Sequence, residues 1–313
     1  MLGKLKAIFG ATQPSGPGKS PATAAGPKPR RGRVNLQRRF TLVSQTAQGS
    51  MSRVHRAVDN DSGRGICLKV QIPDKNAAAA ARSAHESRPP EGEISSRIVH
   101  PHVVRTYEYG QSTRGEHFLV MEFIDGVSLK YIRESRSANL AEKLELLAQA
   151  AEGLAAVHAA GFIHHDIGPQ NFLVTRDHQV KLIDFGLAVP NTPAFRRPGN
   201  RTGTLQYMAP ELIRRESTDE RIDIFSFGSL AFEFLTDKLP YDAGSGANAA
   251  NSMAMLLQRI NSEPLDPARA NPNLPTELTD LIRKLIARRK ADRWPSMANV
   301  AEALRSIPVG AAI

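Results

Sequence analysis

One cysteine, Cys67, stands in 313 residues, which rules out an internal disulfide and any metal centre built from several thiolates. No apolar run reaches the roughly 18–20 residues that a bilayer-spanning helix needs. No secretory leader with a cleavage site is evident, so a reducing interior, the cytoplasm, is the expected location. Acidic residues are missing from the first 39 positions, which hold Lys4, Lys6, Lys19, Lys28, Arg30, Arg31, Arg33, Arg38 and Arg39. These nine cations account for nearly all of the net charge of +10. The rest of the chain is close to neutral, so the basicity belongs to a tail and not to a nucleic-acid-binding face. With 41% hydrophobic and 23% charged residues, the chain has the composition of a folded protein able to bury a core.

Residues 1–37 are rich in Pro, Gly, Ala and Ser, and 11–33 read as a disordered linker. Leu2, Leu5, Ile8 and Phe9 share a helical face beside Lys4 and Lys6. That pattern suits weak docking on an anionic membrane or a partner, helped by the basic run from Arg30 to Arg33; a solvated tail is the simpler reading. Gly16-Pro17-Gly18-Lys19-Ser20 copies the end of a phosphate-binding loop. Gln13 stands where its first glycine belongs, and neither a strand nor a helix flanks it, so it is set aside.

Beyond the tail, Phe40–Val43, Arg53–Val58, Ile66–Val70 and Phe118–Ile124 read as strands, the first two joined by a turn over Gln45–Ser52. Lys69 is a charge inside an otherwise apolar strand, and a buried ammonium needs an anionic partner. From Asn139 the period becomes helical: Leu144, Leu147, Ala148, Ala151, Leu154, Ala155 and His158 recur at three and four. Asn139 and Glu142 are spaced as a capping box, and Gly161 is a stop. His158 reads as a surface or packing residue. Ile222–Leu235 is apolar nearly all round, so buried; Leu256–Ile260 and Leu278–Ala287 are further helices.

Two short apolar runs, Phe172–Val174 and Val180–Ile183, flank a turn at Asp177–Gln179. A hairpin there would bring Asp166 and Asn171, just before it, and Asp184, just after it, to one end of a small sheet. Two carboxylates and a carboxamide so placed suit a phosphate-handling site, because Mg²⁺ takes oxygen ligands and shares them with phosphates.

His164-His165-Asp166 with Asn171, Asp184-Phe185-Gly186 and Ala209-Pro210-Glu211 follow in the order and spacing of the eukaryotic-type protein kinase superfamily. The chain resembles its bacterial Ser/Thr members over roughly residues 38–308. The resemblance implies an α+β bilobal fold: the tail over 1–37, a small, mainly antiparallel β N-lobe over 38–124, and a larger helical C-lobe over 125–308. It implies transfer of the γ-phosphate of ATP, with Mg²⁺, to Ser/Thr hydroxyls of protein substrates and of the chain itself. Gly203-Thr204-x-x-Tyr207 resembles the Ser/Thr type of substrate-docking loop.

Carried over residue by residue, Asp166 is the catalytic acceptor, Lys69 braces the phosphates, and Asn171 and Asp184 hold the metal. Glu91 is the partner of Lys69, with Glu93 as fallback. Pro89-Pro90 ahead of it predicts a short helix starting near Pro90, with Ala77–Ala84 as a separate helical piece. Ala47, Gly49, Ser52, Val54, Cys67, Met121, Glu122, Ile124 and Leu173 complete the nucleotide site; Met121 is the gatekeeper, and Glu122 to Ile124 offer main-chain hydrogen bonds. Cys67 has the role of a buried hydrophobe. Asp223 matches the aspartate that holds the catalytic-loop backbone, and Arg293 the arginine that pairs with Glu211.

The pattern breaks in three places. Only Gly49 is kept of Gly-x-Gly-x-x-Gly-x-Val. Gly168 stands in place of a lysine, which points to slow turnover that Gly168→Lys would raise, unless Arg196, Arg197 or Arg201 supplies the charge. His165 replaces the arginine that grips a phosphorylated activation segment, so activity is expected not to depend on that modification. A pseudokinase scaffold that binds nucleotide or a partner stays open as the alternative; a small-molecule kinase is a third reading.

Overall fold

A computed structural model describes residues 29–48, 52–72, 88–198, 202–241, 256–257 and 260–308. Gly49, Arg201, Ala77–Ala84 and the expected membrane-docking segment at the start lie outside the described residues. The chain divides into two compact units, the change falling between Asp125 and Gly126.

The smaller unit is built on a six-stranded sheet. Its elements are β1 (Pro29–Val34), α1 (Leu36–Arg39), β2 (Phe40–Gln48), β3 (Ser52–Asp59), β4 (Gly65–Gln71), α2 (Glu91–Ser96), β5 (Thr106–Ser112) and β6 (His117–Glu122). The strand order is β1-β5-β6-β4-β3-β2, and only the β1–β5 pair is parallel. Phe40, Ala57, Ile66, Leu68, Val70, Phe118 and Val120 form its core, the apolar face that alternation along half-buried strands dictates.

β1 corrects the expected linker: residues from Pro29 onward are a strand, not an unpaired tail. Pro, Arg and Gly carry no strand pattern of their own, and the pairing comes from outside. β5 offers its edge, Thr113 N–H donates to Val34 O at 2.9 Å, and Val34 is buried. Asn35 caps α1 through its side chain. Arg39 then donates to Glu108 at 2.6 and 2.9 Å and to Asp59 at 3.1 Å, fastening this junction to two strands.

The larger unit begins with β7 (Gly126–Ser128), α3 (Leu129–Ser135) and α4 (Leu140–Ala159). The α4 capping box is formed in both directions, Glu142 N–H to Asn139 Oδ1 and Asn139 N–H to Glu142 Oε2. β8 (Phe162–Ile163), β9 (Phe172–Thr175), β10 (Val180–Leu182) and β11 (Val189–Pro190) follow, then α5 (Pro210–Ile213), α6 (Arg221–Thr236), α7 (Pro267–Ala270), α8 (Thr276–Leu285) and α9 (Met297–Ser306). Helix α6 is buried from Ile222 to Thr236. Phe225, Phe227, Phe232 and Phe234 are all but inaccessible, each stabilising the unit by about 1.5–3 kcal/mol through burial. Of the expected helix Leu256–Ile260, only 256, 257 and 260 are described, all helical. No helix among the described residues is long and apolar enough to cross a membrane.

Candidate active site

The hairpin of β9 and β10 positions the chemistry of the larger unit. Its register pairs Phe172 with Leu182 and Val174 with Val180. Ile183 N–H continues the ladder to Asn171 O at 2.8 Å. Asn171 therefore lies across from Ile183, one residue before Asp184. Asp184 has a positive φ of 63° and accepts from Gly186 N–H at 2.9 Å, which turns the chain sharply after β10. Its side chain is exposed.

Asp166 is held by its neighbours on both carboxylate oxygens. Thr204 donates to Oδ1 from its N–H at 3.0 Å and its hydroxyl at 2.8 Å. Asn171 Nδ2 donates to Oδ2 at 3.1 Å and to the Asp166 carbonyl at 2.8 Å. With its amide nitrogen spent on Asp166, Asn171 presents Oδ1 on the other side of the amide, where a hard cation can use it. Among the described residues no three His, Cys, Asp or Glu side chains form a metal cage. An amide oxygen and an exposed carboxylate fit a cation that draws its remaining ligands from phosphate and water.

Asp223 on α6 supports the loop from beneath. It is fully buried and accepts from His164 N–H at 2.7 Å and His165 N–H at 2.9 Å. His158 Nε2 lies 2.9 Å from Asp223 Oδ2, as donor, because a carboxylate can only accept. Burial opposes ionisation of Asp223. The hydrogen bond from His158 and the pull of the His158 imidazole outweigh it and hold the carboxyl below its ordinary range. Burial pushes the His164 imidazole down against the pull of Asp223, Asp166 and Asp184. The neutral ring accepts Asp166 N–H on Nδ1 at 3.3 Å and packs on Phe185, 5.1 Å between centroids. His158, expected as a surface or packing residue, is instead part of this support. Its only sequence signal was its place at the end of α4, on the face that carries the apolar stripe.

The activation segment closes over the loop. Gly203 has φ 112°, and a Cβ there would sit 2.3 Å from the His165 carbonyl oxygen, so both backbone conformation and space require glycine. Thr202 Oγ1 lies 3.2 Å from His165 Nδ1, so a hydroxyl of the segment meets the imidazole at this position. Arg196 donates to Asn191 Oδ1 at 2.7 Å and lies 3.7 Å from Glu220, so its charge is engaged with the residue that precedes α6. Tyr207 donates to Glu233 at 2.6 Å. Arg293 donates to both oxygens of Glu211 at 2.6 and 2.8 Å.

In the smaller unit, Lys69 Nζ donates to Glu91 Oε1 at 2.7 Å, with both side chains buried. Gln71 donates to Glu91 Oε2 at 3.1 Å. Glu93, the fallback, faces Arg97. α2 starts at Glu91 with Pro90 as its cap, because proline's fixed φ and missing N–H suit only a helix start. Ser52 and Met121 are buried, Val54 is half-buried, and Leu173 in the larger unit is half-buried. Ala47 lies in β2. Glu122 N–H is used by Arg105 O at 2.9 Å, which reduces its main-chain offer to a ligand to the carbonyl; Ile124 follows β6 without regular structure.

Cys67 pairs with Met121 across β4 and β6 and is half-buried, not buried as expected; loss of water around the sulfur still pushes its thiol up to about 11 despite the Lys69 charge. The thiolate is the reactive form. Maleimide labelling of the native chain at pH 7 is expected to run at least about tenfold slower than in urea; equal rates would show that the fold does not shield the thiol.

Residues 40–304 match the family described as the protein kinase domain. The chain belongs to the protein kinase family. It is 29% identical over 274 residues to a probable serine/threonine-protein kinase, pknA2, of Bifidobacterium longum, covering 87% of this chain and 35% of that protein. It is 34% identical to the serine/threonine-protein kinase pkn2 of Myxococcus xanthus (86% and 32% covered), and 31% identical to PknA of Mycobacterium tuberculosis (88% and 63%). These relatives are bacterial, and the chain spans about a third of the length of the first two and under two thirds of the third.

Proposed function

We propose that this chain is a serine/threonine protein kinase that moves the γ-phosphoryl group of Mg-ATP to hydroxyls of protein substrates, itself included. The observation that carries the reading is the clamped Asp166 carboxylate, aimed by Thr204 and Asn171 and hung from Asp223 through the loop backbone. Asp166 accepts the proton of the substrate hydroxyl as its oxygen bonds to the γ-phosphorus; the bond to the bridging oxygen breaks and ADP leaves. Lys69, aligned by Glu91, braces the α- and β-phosphates. Asn171 and Asp184 would hold Mg²⁺, which supplies charge neutralisation on the phosphates when bound. Ala47, Gly49, Ser52, Val54, Cys67, Met121, Glu122, Ile124 and Leu173 line the nucleotide. The reading includes a cytoplasmic setting, no specific nucleic-acid partner, and a basic tail that supplies at most weak docking on a membrane or partner.

The test follows label from γ-labelled ATP into the chain and into a generic basic protein, for the parent, Asp166→Ala and Lys69→Met. Label in the parent alone supports the reading. Equal label in all three overturns it, and nucleotide binding without transfer by the parent replaces it with the scaffold.

A further inference from the structure

Gly168 invites the question of what fills the place of the absent side chain. Its backbone is extended, φ −159° and ψ 162°, a conformation open to any residue, so the glycine is not there for flexibility. What it leaves is room. A Cβ on Gly168 would lie 2.8 Å from both Nε2 and Oε1 of Gln170 and 3.1 Å from Cδ; the Gln170 amide occupies the space where a side chain at 168 would begin. From there Nε2 donates to Thr204 Oγ1 at 3.3 Å, and Thr204 Oγ1 donates to Asp166 Oδ1 at 2.8 Å. A hydroxyl has one proton and two lone pairs. The proton is committed to the carboxylate, which can only accept, so the amide N–H takes a lone pair of Oγ1 and holds the Thr204 oxygen where its O–H meets Asp166.

We propose that Gln170, seated in the room left by Gly168, is a positioning residue for phosphoryl transfer that orients the Thr204 hydroxyl onto Asp166. The inference rests on the kinase reading above and adds to it a pair, residues 168 and 170, that works as a unit. An exposed neutral amide takes over part of the ordering near the reacting hydroxyl without bringing a charge. Gln170 acts through Thr204, so its loss should leave nucleotide binding alone and lower the rate of the chemical step.

The experiment measures kcat and the KM for Mg-ATP of the full chain, with a generic basic protein as acceptor. It uses the parent, Gln170→Ala, Gln170→Glu, Gly168→Ala and Gly168→Ala/Gln170→Ala. Losing one neutral hydrogen bond corresponds to about a five- to tenfold drop in kcat, expected for Gln170→Ala with the KM for ATP unchanged. Gln170→Glu, of the same shape without the N–H, falls at least as far. Gly168→Ala falls similarly by displacing the amide, and the double variant falls no further than either single, because both remove one contact. A merely structural role would lower the melting temperature and let the losses multiply. An active parent with an unimpaired Gln170→Ala, or a double variant that loses the product of the two factors, overturns the inference and spares the kinase reading. A parent that binds ATP and transfers nothing removes both.

Discussion

Asp166→Ala is expected to lower phosphoryl transfer by about 10²–10⁴-fold, the usual worth of a positioned general base, with the affinity for Mg-ATP retained. The substitution removes the acceptor toward which the site converges: Thr204 loses the partner of both its N–H and its hydroxyl, and Asn171 keeps only the Asp166 carbonyl. The fold should tolerate this. The loop backbone hangs from Asp223, which takes His164 and His165 N–H groups independently of the Asp166 side chain. A melting temperature within a few degrees of the parent, beside a collapsed single-turnover rate, is the expected pair of results. A fall of only about twofold would show that proton acceptance at this site is not where the barrier is lowered.

Glu211→Ala is expected to destabilise the larger unit by about 3–5 kcal/mol, the cost of leaving one member of a buried ion pair alone. The Arg293 side chain is fully buried and Glu211 nearly so. The guanidinium has other contacts: Nε on Ala287 O at 2.8 Å, Nη1 on Arg221 O at 2.9 Å, and the Phe225 ring 4.9 Å below. Carbonyls and a ring satisfy its hydrogens but do not neutralise its charge, so the fork geometry survives while its compensation is lost. Urea unfolding followed by the fluorescence of Trp294 reads the effect as a lower midpoint at unchanged slope. Replacing both residues by apolar ones of similar size should cost less than Glu211→Ala alone. A midpoint within error of the parent would mean that water reaches Arg293.

Much of the candidate site was legible because it is local. Asp166, Asn171 and Asp184 flank two apolar runs and a turn, and a hairpin can bring such flanks together in only one way. The α4 capping box was readable for the same reason, as was the α2 start at a proline. Lys69 announced its need for a carboxylate by being charged in an apolar strand. Choosing Glu91 over Glu93 followed from the family's register, and the structure pairs Lys69 with Glu91.

Other features had no local signature. β5 and β1 passed unread: Tyr107, Glu108, Tyr109 and Gly110 show no clean alternation, and β1 acquires its strand form from the edge it joins. His158 and Asp223 are 65 residues apart, and nothing at position 158 distinguishes a histidine that packs from one that donates to a buried acid. In the sequence Arg196 is a spare positive charge, and only the fold sets Asn191 and Glu220 beside it.

By itself the sequence determined which residues would be charged inside apolar surroundings, where the chain turns, and which short motifs carry phosphate chemistry, since spacing and side-chain type are all that these require. Tertiary structure alone decided who completes each hydrogen bond: His158 on Asp223, Thr202 on His165, Gln170 on Thr204. Polar partners distant in the chain are chosen by direction and by the cost of leaving a buried donor or acceptor unmet, and neither leaves a periodic trace in the order of residues.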